Sequence, residues 1–229
     1  SMNMKKQMKL LSVAIIGTLL LGACGAPQKS AQSKDESAVS TEDTVKSLVY
    51  GTSSYGVGMS DAGLNPHEDY SGWSLVRYGV GETLFKLNDK LELTPWLADS
   101  YKFIDDNTLE VKIKDNINFS SGRKLDATAA KECFEDLLAV HDRAPKDMKI
   151  SEIKADGQTL TFITTEPNPA LINFLAEPYS ALIDMKTGVD ANKNVSGTGP
   201  YKATAVSDTE IDLTSRDDYW DGNVAKTNI

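Results

Sequence analysis

Apolar and polar residues alternate with the period of a β-strand over several short stretches. In 108–114, Leu109, Val111 and Ile113 are separated by Glu110, Lys112 and Lys114, which predicts a half-buried strand with three side chains facing in. Residues 101–104 precede it across the turn Asp105-Asp106-Asn107. Residues 150–155 and 159–164 flank Asp156-Gly157, a strong hairpin signal. Ile211 and Leu213 alternate with Glu210, Asp212 and Thr214, and residues 203–206 lie before them across Ser207-Asp208-Thr209. A first strand is expected over 47–52 and a brief one at Leu182-Ile183.

Elsewhere the period becomes helical. Ala130, Cys133, Phe134, Leu137 and Leu138 form one stripe, opened by Asp126 as N-cap. This helix is expected to run to about His141, with Pro145 ending it. Shorter helices are expected over 73–80 and 169–175. Residues 81–87 and 91–93 read as a hairpin around Asn88-Asp89, after which Pro95 starts a helical turn that packs Trp96 and Leu97. Gly197 and Gly199 bracket a tight turn; both can take positive φ there, and Pro200 pushes Gly199 towards extended geometry.

The N-terminal pattern differs from all of these. Lys5, Lys6 and Lys9 precede an apolar run over 10–21, and Leu21-Gly22-Ala23-Cys24 follows, which reads as a signal peptide over 1–23. The run is shorter than the roughly 20 residues that a spanning helix needs. The four residues ending at Cys24 resemble a lipobox. Cys24 is then the lipidated first residue of the mature protein, or an incidental cysteine behind an ordinary signal peptide. Residues 24–46 are rich in Ser, Ala, Gln and Lys without an aromatic residue and read as a flexible tether.

Composition sharpens this outline. A chain of 229 residues with 40% hydrophobic content can bury one or two cores. Its net charge of −9 argues against nucleic acid as a partner and favours, mildly, a cationic ligand. There are two cysteines. Cys133 lies on the helical stripe and reads as a small buried hydrophobe, so no intramolecular disulfide is expected. The sequence shows no nucleophile elbow, phosphate loop or metal-ligand cluster, so an enzyme is not expected and no resident cofactor is implied.

Five patches in order carry a resemblance. They are Leu64-Asn65-Pro66-His67; Glu82-Thr83-Leu84-Phe85 with Pro95-Trp96-Leu97-Ala98-Asp99-Ser100; Phe119-Ser120-Ser121-Gly122 with Leu125-Asp126-Ala127; Gly197-Thr198-Gly199-Pro200-Tyr201; and Arg216-Asp217-Asp218-Tyr219-Trp220-Asp221-Gly222. Together they resemble the family 5 (cluster C) extracellular solute-binding proteins, which deliver peptides, nickel or nickel chelates to ABC importers. The resemblance implies an α/β, periplasmic-binding-protein-like fold of type II. On that fold the chain is a lobe I fragment with an extra mixed α+β subdomain, and the second lobe is absent. Residues 47–60 are then the first strand of lobe I, 61–196 the extra subdomain, and 197–229 the start of the return to the lobe core. It further implies a monomer outside the cytoplasm of a bacterium, held to the membrane by its lipid, with ABC permease subunits as partners. Lobe closure over a small ligand is the implied mechanism. Nickel or a nickel chelate is the favoured cargo and enters as ligand, not cofactor. Di- or oligopeptides are the alternative, and a surface lipoprotein for adhesion or signalling is a third reading.

The ligand residues implied by the resemblance cluster in two places. Arg143 lies nine residues after Phe134, where nickel-type members hold a chelator carboxylate with an arginine; guanidinium suits a carboxylate because it is planar and binds bidentately. The other reading of Arg143 is an exposed cation near a helix C-terminus. His67 follows Asn65-Pro66 as in the nickel and dipeptide members, and either shapes the cleft rim or ligates metal directly. Asp69 stands where nickel-type members carry a tyrosine that lines the site, and the adjacent Tyr70 can take that role. Trp73 reads as a core residue or an aromatic wall. His141 reads as a helix C-terminal residue.

Overall fold

The computed structural model describes residues 47–51 and 63–222. The chain divides into two units, Ser1–Asp43 and Thr44–Ile229, and every described residue belongs to the second. The signal-peptide, Cys24 and tether readings lie outside the described residues, as do 52–62 and 223–229.

Strand β1 (Ser47–Gly51) is followed by helix α1 (Ser71–Arg77), β2 (Phe85–Leu87), β3 (Leu93–Pro95), β4 (Ala98–Asp105) and β5 (Thr108–Ile113). Helices α2 (Ala127–Val140) and α3 (Ala144–Met148) come next, then β6 (Ile150–Asp156), β7 (Thr159–Thr164) and α4 (Leu171–Phe174). A 3-10 turn at Pro178–Ser180 and strands β8 (Tyr201–Val206) and β9 (Glu210–Ser215) complete the order. Three antiparallel sheets result, with strand orders β1-β9-β8, β2-β3 and β4-β5-β7-β6.

The four-stranded sheet is the floor of the core. Leu109, Val111 and Ile113 are buried on β5, as are Leu160 and Phe162 on β7. Its hairpin turn places Gly157 at φ +58, where a side chain would be strained. Helix α2 lies over β6 and β7, with the predicted stripe of Ala130, Cys133, Phe134 and Leu137 buried against them. Phe134 meets Phe162 edge to face at 5.1 Å. Burying each such large side chain stabilises the fold by about 1.5–3 kcal/mol. Asp126 caps α2 as expected, its carboxylate accepting the Ala129 N–H at 2.8 Å.

Four local expectations change. Helix α2 ends before Pro145, because His141 takes an extended backbone with ψ 140. Pro145 instead sits in the first turn of α3, where its missing N–H costs nothing. Pro95 starts no helical turn; it closes β3 on a two-stranded edge, and Leu97 is buried at the bend that follows. Trp73 is not a core residue, since it is 61% exposed on α1.

Gly197 and Gly199 are the fourth change, in that the left-handed freedom open to them is not what they are used for. Neither has positive φ. They are needed because two backbones touch: a Cβ at Gly197 would lie 2.1 Å from the Val80 carbonyl oxygen, and one at Gly199 would lie 2.1 Å from that of Gly79. The contact is sealed by Gly199 N–H donating to Val80 O and Tyr201 N–H to Gly79 O, both at 3.0 Å. Gly79, at φ +70, is the glycine whose conformation is left-handed here.

Candidate functional site

The sequence motifs converge on two clusters, one that holds the chain together and one that can meet a ligand. In the first, Glu82 is 1% exposed and accepts from three side chains. Thr198 Oγ1 donates at 2.8 Å, Trp220 Nε1 at 2.7 Å, and the Tyr219 hydroxyl donates to the other carboxylate oxygen. Burial pushes the Glu82 carboxyl above its ordinary value, while these donors and the nearby Arg216 pull the other way. Arg216, 6% exposed, gathers the carbonyl oxygens of Asn118 and Gly199 at 3.0 and 3.1 Å and pairs with Asp218 at 3.1 Å. Three of the five resembling patches thus meet at one buried carboxylate and one buried guanidinium.

The second cluster forms where the loop over 65–70 packs on the junction between α2 and α3. Arg143 precedes α3 and is half-buried. Its guanidinium carbon sits 4.5 Å above the Tyr70 ring and 5.5 Å from the Tyr179 ring. Among the described residues it has no carboxylate partner. Tyr70 is 49% exposed, so the stack opens on solvent. Tyr179 donates to Asp147 Oδ2 at 2.9 Å, and burial with that neighbouring carboxylate pushes its hydroxyl pKa up. A cation held between aromatic faces with its N–H fork unpaired can take an anionic oxygen pair from outside.

His141 ties this cluster together. Its Nδ1 accepts the backbone N–H groups of Arg143 at 3.1 Å and Ala144 at 3.0 Å. Its Nε2 faces the carbonyl oxygen of Asp69 at 3.4 Å, and its ring lies 4.7 Å from that of Tyr179. Burial pulls its pKa down; the Asp69 carbonyl, Asp142 and Asp147 raise it, and Arg143 lowers it.

His67 is placed inside, at 1% exposure. Its Nδ1 is 2.7 Å from Asp136 Oδ2 on α2, and its Nε2 is 3.5 Å from Cys133 Sγ. Burial lowers the His67 pKa against the pull of Asp136. Cys133 also accepts the Ile183 N–H at 3.5 Å, and complete burial pushes its thiol up to about 12. Both ring nitrogens of His67 are therefore engaged in fixing the loop to α2, and the described residues contain no group of three or more His, Cys, Asp or Glu placed to hold a metal ion.

The structure brings Arg143, Tyr70, Asp69 and His67 to one junction. Asp69 contributes its backbone there, at φ 49, with its side chain exposed. Trp73 stands apart, lining a groove of about 540 Å3 with Val76, Lys86, Leu93, Trp96 and Pro178. Lys86 Nζ lies 4.7 Å over the Trp96 ring in that groove. Sequence reasoning missed Tyr179 and the bridging role of His141. No local rule foresees the latter, because the N-cap of α3 is Arg143 and His141 lies two residues ahead of it.

Comparison with known proteins gives four findings. Residues 92–228 match the family model described as bacterial extracellular solute-binding proteins, family 5 Middle. The chain is 37% identical over 148 residues to the nickel-binding protein NikA of Staphylococcus aureus, covering 64% of this chain and 30% of that protein. It is 29% identical over 153 residues to the glutathione-binding protein GsiB of Escherichia coli, covering 62% and 30%. Among solved structures it is similar to Staphylococcus aureus NikA in complex with Ni(L-His)2, with a TM-score of 0.66 and 34% identity over 71% of this chain and 34% of that one. The chain thus spans about a third of the length of the relatives it matches, and the described fold is part of a type II periplasmic-binding-protein fold.

Proposed function

The chain belongs to the family 5 bacterial extracellular solute-binding proteins of ABC importers, and from that membership we propose that it captures a nickel chelate outside the cytoplasm and delivers it to a membrane permease. The observation that carries the reading is Arg143, a guanidinium stacked between Tyr70 and Tyr179 with no carboxylate partner among the described residues. Chelators that present nickel carry carboxylates, and a half-buried, pre-oriented guanidinium binds one through charge-assisted hydrogen bonds. Metal selectivity then comes from the chelator's own nitrogen and oxygen donors, and Arg143 reads the anionic group. Similarity to a NikA that holds Ni(L-His)2 supports the same choice.

A peptide reading has its own support in the likeness to the glutathione-binding GsiB proteins. Glutathione also carries carboxylates, so Arg143 fits either cargo and its role is the same. On both readings 47–51 and 197–222 belong to lobe I, 63–196 to its extra subdomain, and closure of a second lobe completes the site. Lipidation at Cys24 holds the protein at the membrane face.

The test is calorimetric titration of the complete protein, second lobe included, with Ni(II) and L-histidine at one to two. Arg143→Ala is expected to weaken binding at least about tenfold, the loss that follows removal of a charged hydrogen-bonding group. Unchanged affinity removes Arg143 from the site. Binding of glutathione in place of the nickel complex moves the cargo to the peptide class.

A further inference from the structure

We propose that His141 is a positioning residue for the ligand-gripping arginine: its neutral imidazole latches the Asp69–Tyr70 loop to the first turn of α3 and so fixes the Tyr70–Arg143–Tyr179 stack. The inference rests on the reading of Arg143 given above and adds a part to that site.

The geometry assigns the proton. Two backbone N–H groups, those of Arg143 and Ala144, point at Nδ1. An N–H cannot donate to another N–H, so Nδ1 is the bare acceptor and the ring proton sits on Nε2. That proton is directed at the Asp69 carbonyl, 3.4 Å away. One ring therefore bridges two backbones far apart in sequence. On one side it sets the residue before Tyr70; on the other it holds the N–H of Arg143 itself. The ring plane also supports Tyr179, the second aromatic face under the guanidinium. Asn, Asp and Ser cap helix starts through the same i to i+2 and i to i+3 bonds, but their side chains are too short to reach across to a second loop as well. Imidazole has an acceptor and a donor on opposite edges.

The latch has a failure mode that a purely structural residue lacks. A second proton turns Nδ1 into a donor facing two donors, and both bonds to the α3 turn are lost. The groups that face the ring are Arg143, Asp142, Asp147, Tyr179, the Asp69 backbone and, at longer range, His67. Burial, with Arg143 assisting, lowers the pKa of the folded protein against the pull of Asp142 and Asp147. A histidine with a lowered folded pKa binds fewer protons folded than unfolded. Its contribution is therefore complete above the unfolded value near 6.5 and declines as pH falls below it towards the lower folded value. The latch is closed at neutral pH and opens in acid.

Three forms of the full chain test this: wild type, His141→Asn and His141→Phe. Asparagine keeps an acceptor for the two backbone N–H groups and cannot titrate; phenylalanine keeps the ring against Tyr179 and offers no acceptor. The first readout needs no ligand. Nitrogen-15 spectra of wild type at pH 7.5 are expected to show His141 as the Nε2–H tautomer. The amides of Arg143 and Ala144 are expected to exchange slowly and to lose protection as His141 titrates, with no such titration in His141→Asn. An Nδ1–H tautomer, or amide protection indifferent to the titration, overturns the latch.

The second readout is the affinity for Ni(II) with two equivalents of L-histidine. At pH 7.5, His141→Phe is expected to bind about fivefold more weakly than wild type, the equivalent of one lost cap, and His141→Asn to recover only the part carried by the two bonds to the α3 turn, since it does not reach the Asp69 carbonyl. From pH 7.5 to 5.5 wild type is expected to lose about fivefold more affinity than His141→Asn, which carries the pH dependence of the nickel complex alone. Equal pH dependence in the two proteins overturns positioning of Arg143 by the latch. If the ligand-free signals appear as expected and wild type binds no nickel complex, the cargo reading fails and the latch on Arg143 stands.

Discussion

Glu82 lies in a stretch that reads, locally, as nothing more than the entry to a hairpin. Its partners are 116, 137 and 138 residues away, so no local pattern could reveal that its carboxylate joins three patches of the chain. Removing it leaves the buried Thr198 hydroxyl and the half-buried Trp220 N–H and Tyr219 hydroxyl without their acceptor, and a group left unpaired in this way costs about 1–3 kcal/mol when water does not reach it. Glu82→Ala is expected to destabilise the fold by about 3 kcal/mol or more in urea unfolding. The pH dependence has a definite sign. Burial raises the folded pKa above 4.5, so the folded protein holds this proton to higher pH than the unfolded chain. The stability it contributes is full below the unfolded value and is lost as pH rises through the folded one. Wild type is therefore expected to lose stability relative to Glu82→Gln as pH is raised from about 4.5, a difference in which the other carboxylates cancel. A constant gap across that range would mean that the donors cancel burial, and a gap that moves in favour of wild type that they outweigh it.

Among the elements, the hairpins and the long helix were legible because each is decided by neighbours in sequence. Alternation at Leu109, Val111 and Ile113 selects one face, and Asp156-Gly157 fixes the register of β6 on β7. Asp126 sets the start of α2 by itself, and Asp126→Ala is expected to cost about 1 kcal/mol, read as a shift in the thermal midpoint. The prolines and glycines were not legible in the same way. A proline excludes helix interiors, but a helix start and an edge strand both tolerate it, and only the packing at Pro145 and Pro95 decided between them. A glycine signals either an unusual φ or a missing side chain. At Gly197 and Gly199 the second applies, because the Val80 and Gly79 carbonyls occupy the space of a Cβ. The candidate site divides along the same line. Arg143 and Tyr70 could be named from the sequence by resemblance, whereas Tyr179 joins them through a chain reversal that no local rule foresees.

At the scale of the molecule, the chain matches about a third of its structural relatives, and among the described residues no helix is long and apolar enough to cross a membrane. The proposed attachment rests on the lipobox resemblance at Cys24, ahead of the described residues. Cys24→Ala is expected to release the protein from the bacterial surface into the medium, assayed by fractionation; a variant that is cleaved and still sediments with membranes would sink the lipid-anchor reading. Long-range joints dominate this scale. Ser47 pairs with Thr214 and Tyr50 with Ile211, so the first described strand is completed by the last. A polypeptide emerges from a ribosome or an export channel one end first. Strand β1 is therefore delivered long before its hydrogen-bonding partner exists, and closing so large a loop makes this sheet slow to form compared with the local hairpins. The β4-β5 and β6-β7 hairpins, closed by short turns, are expected to form ahead of it, and until β9 arrives β1 has open backbone groups that a neighbouring chain can pair with.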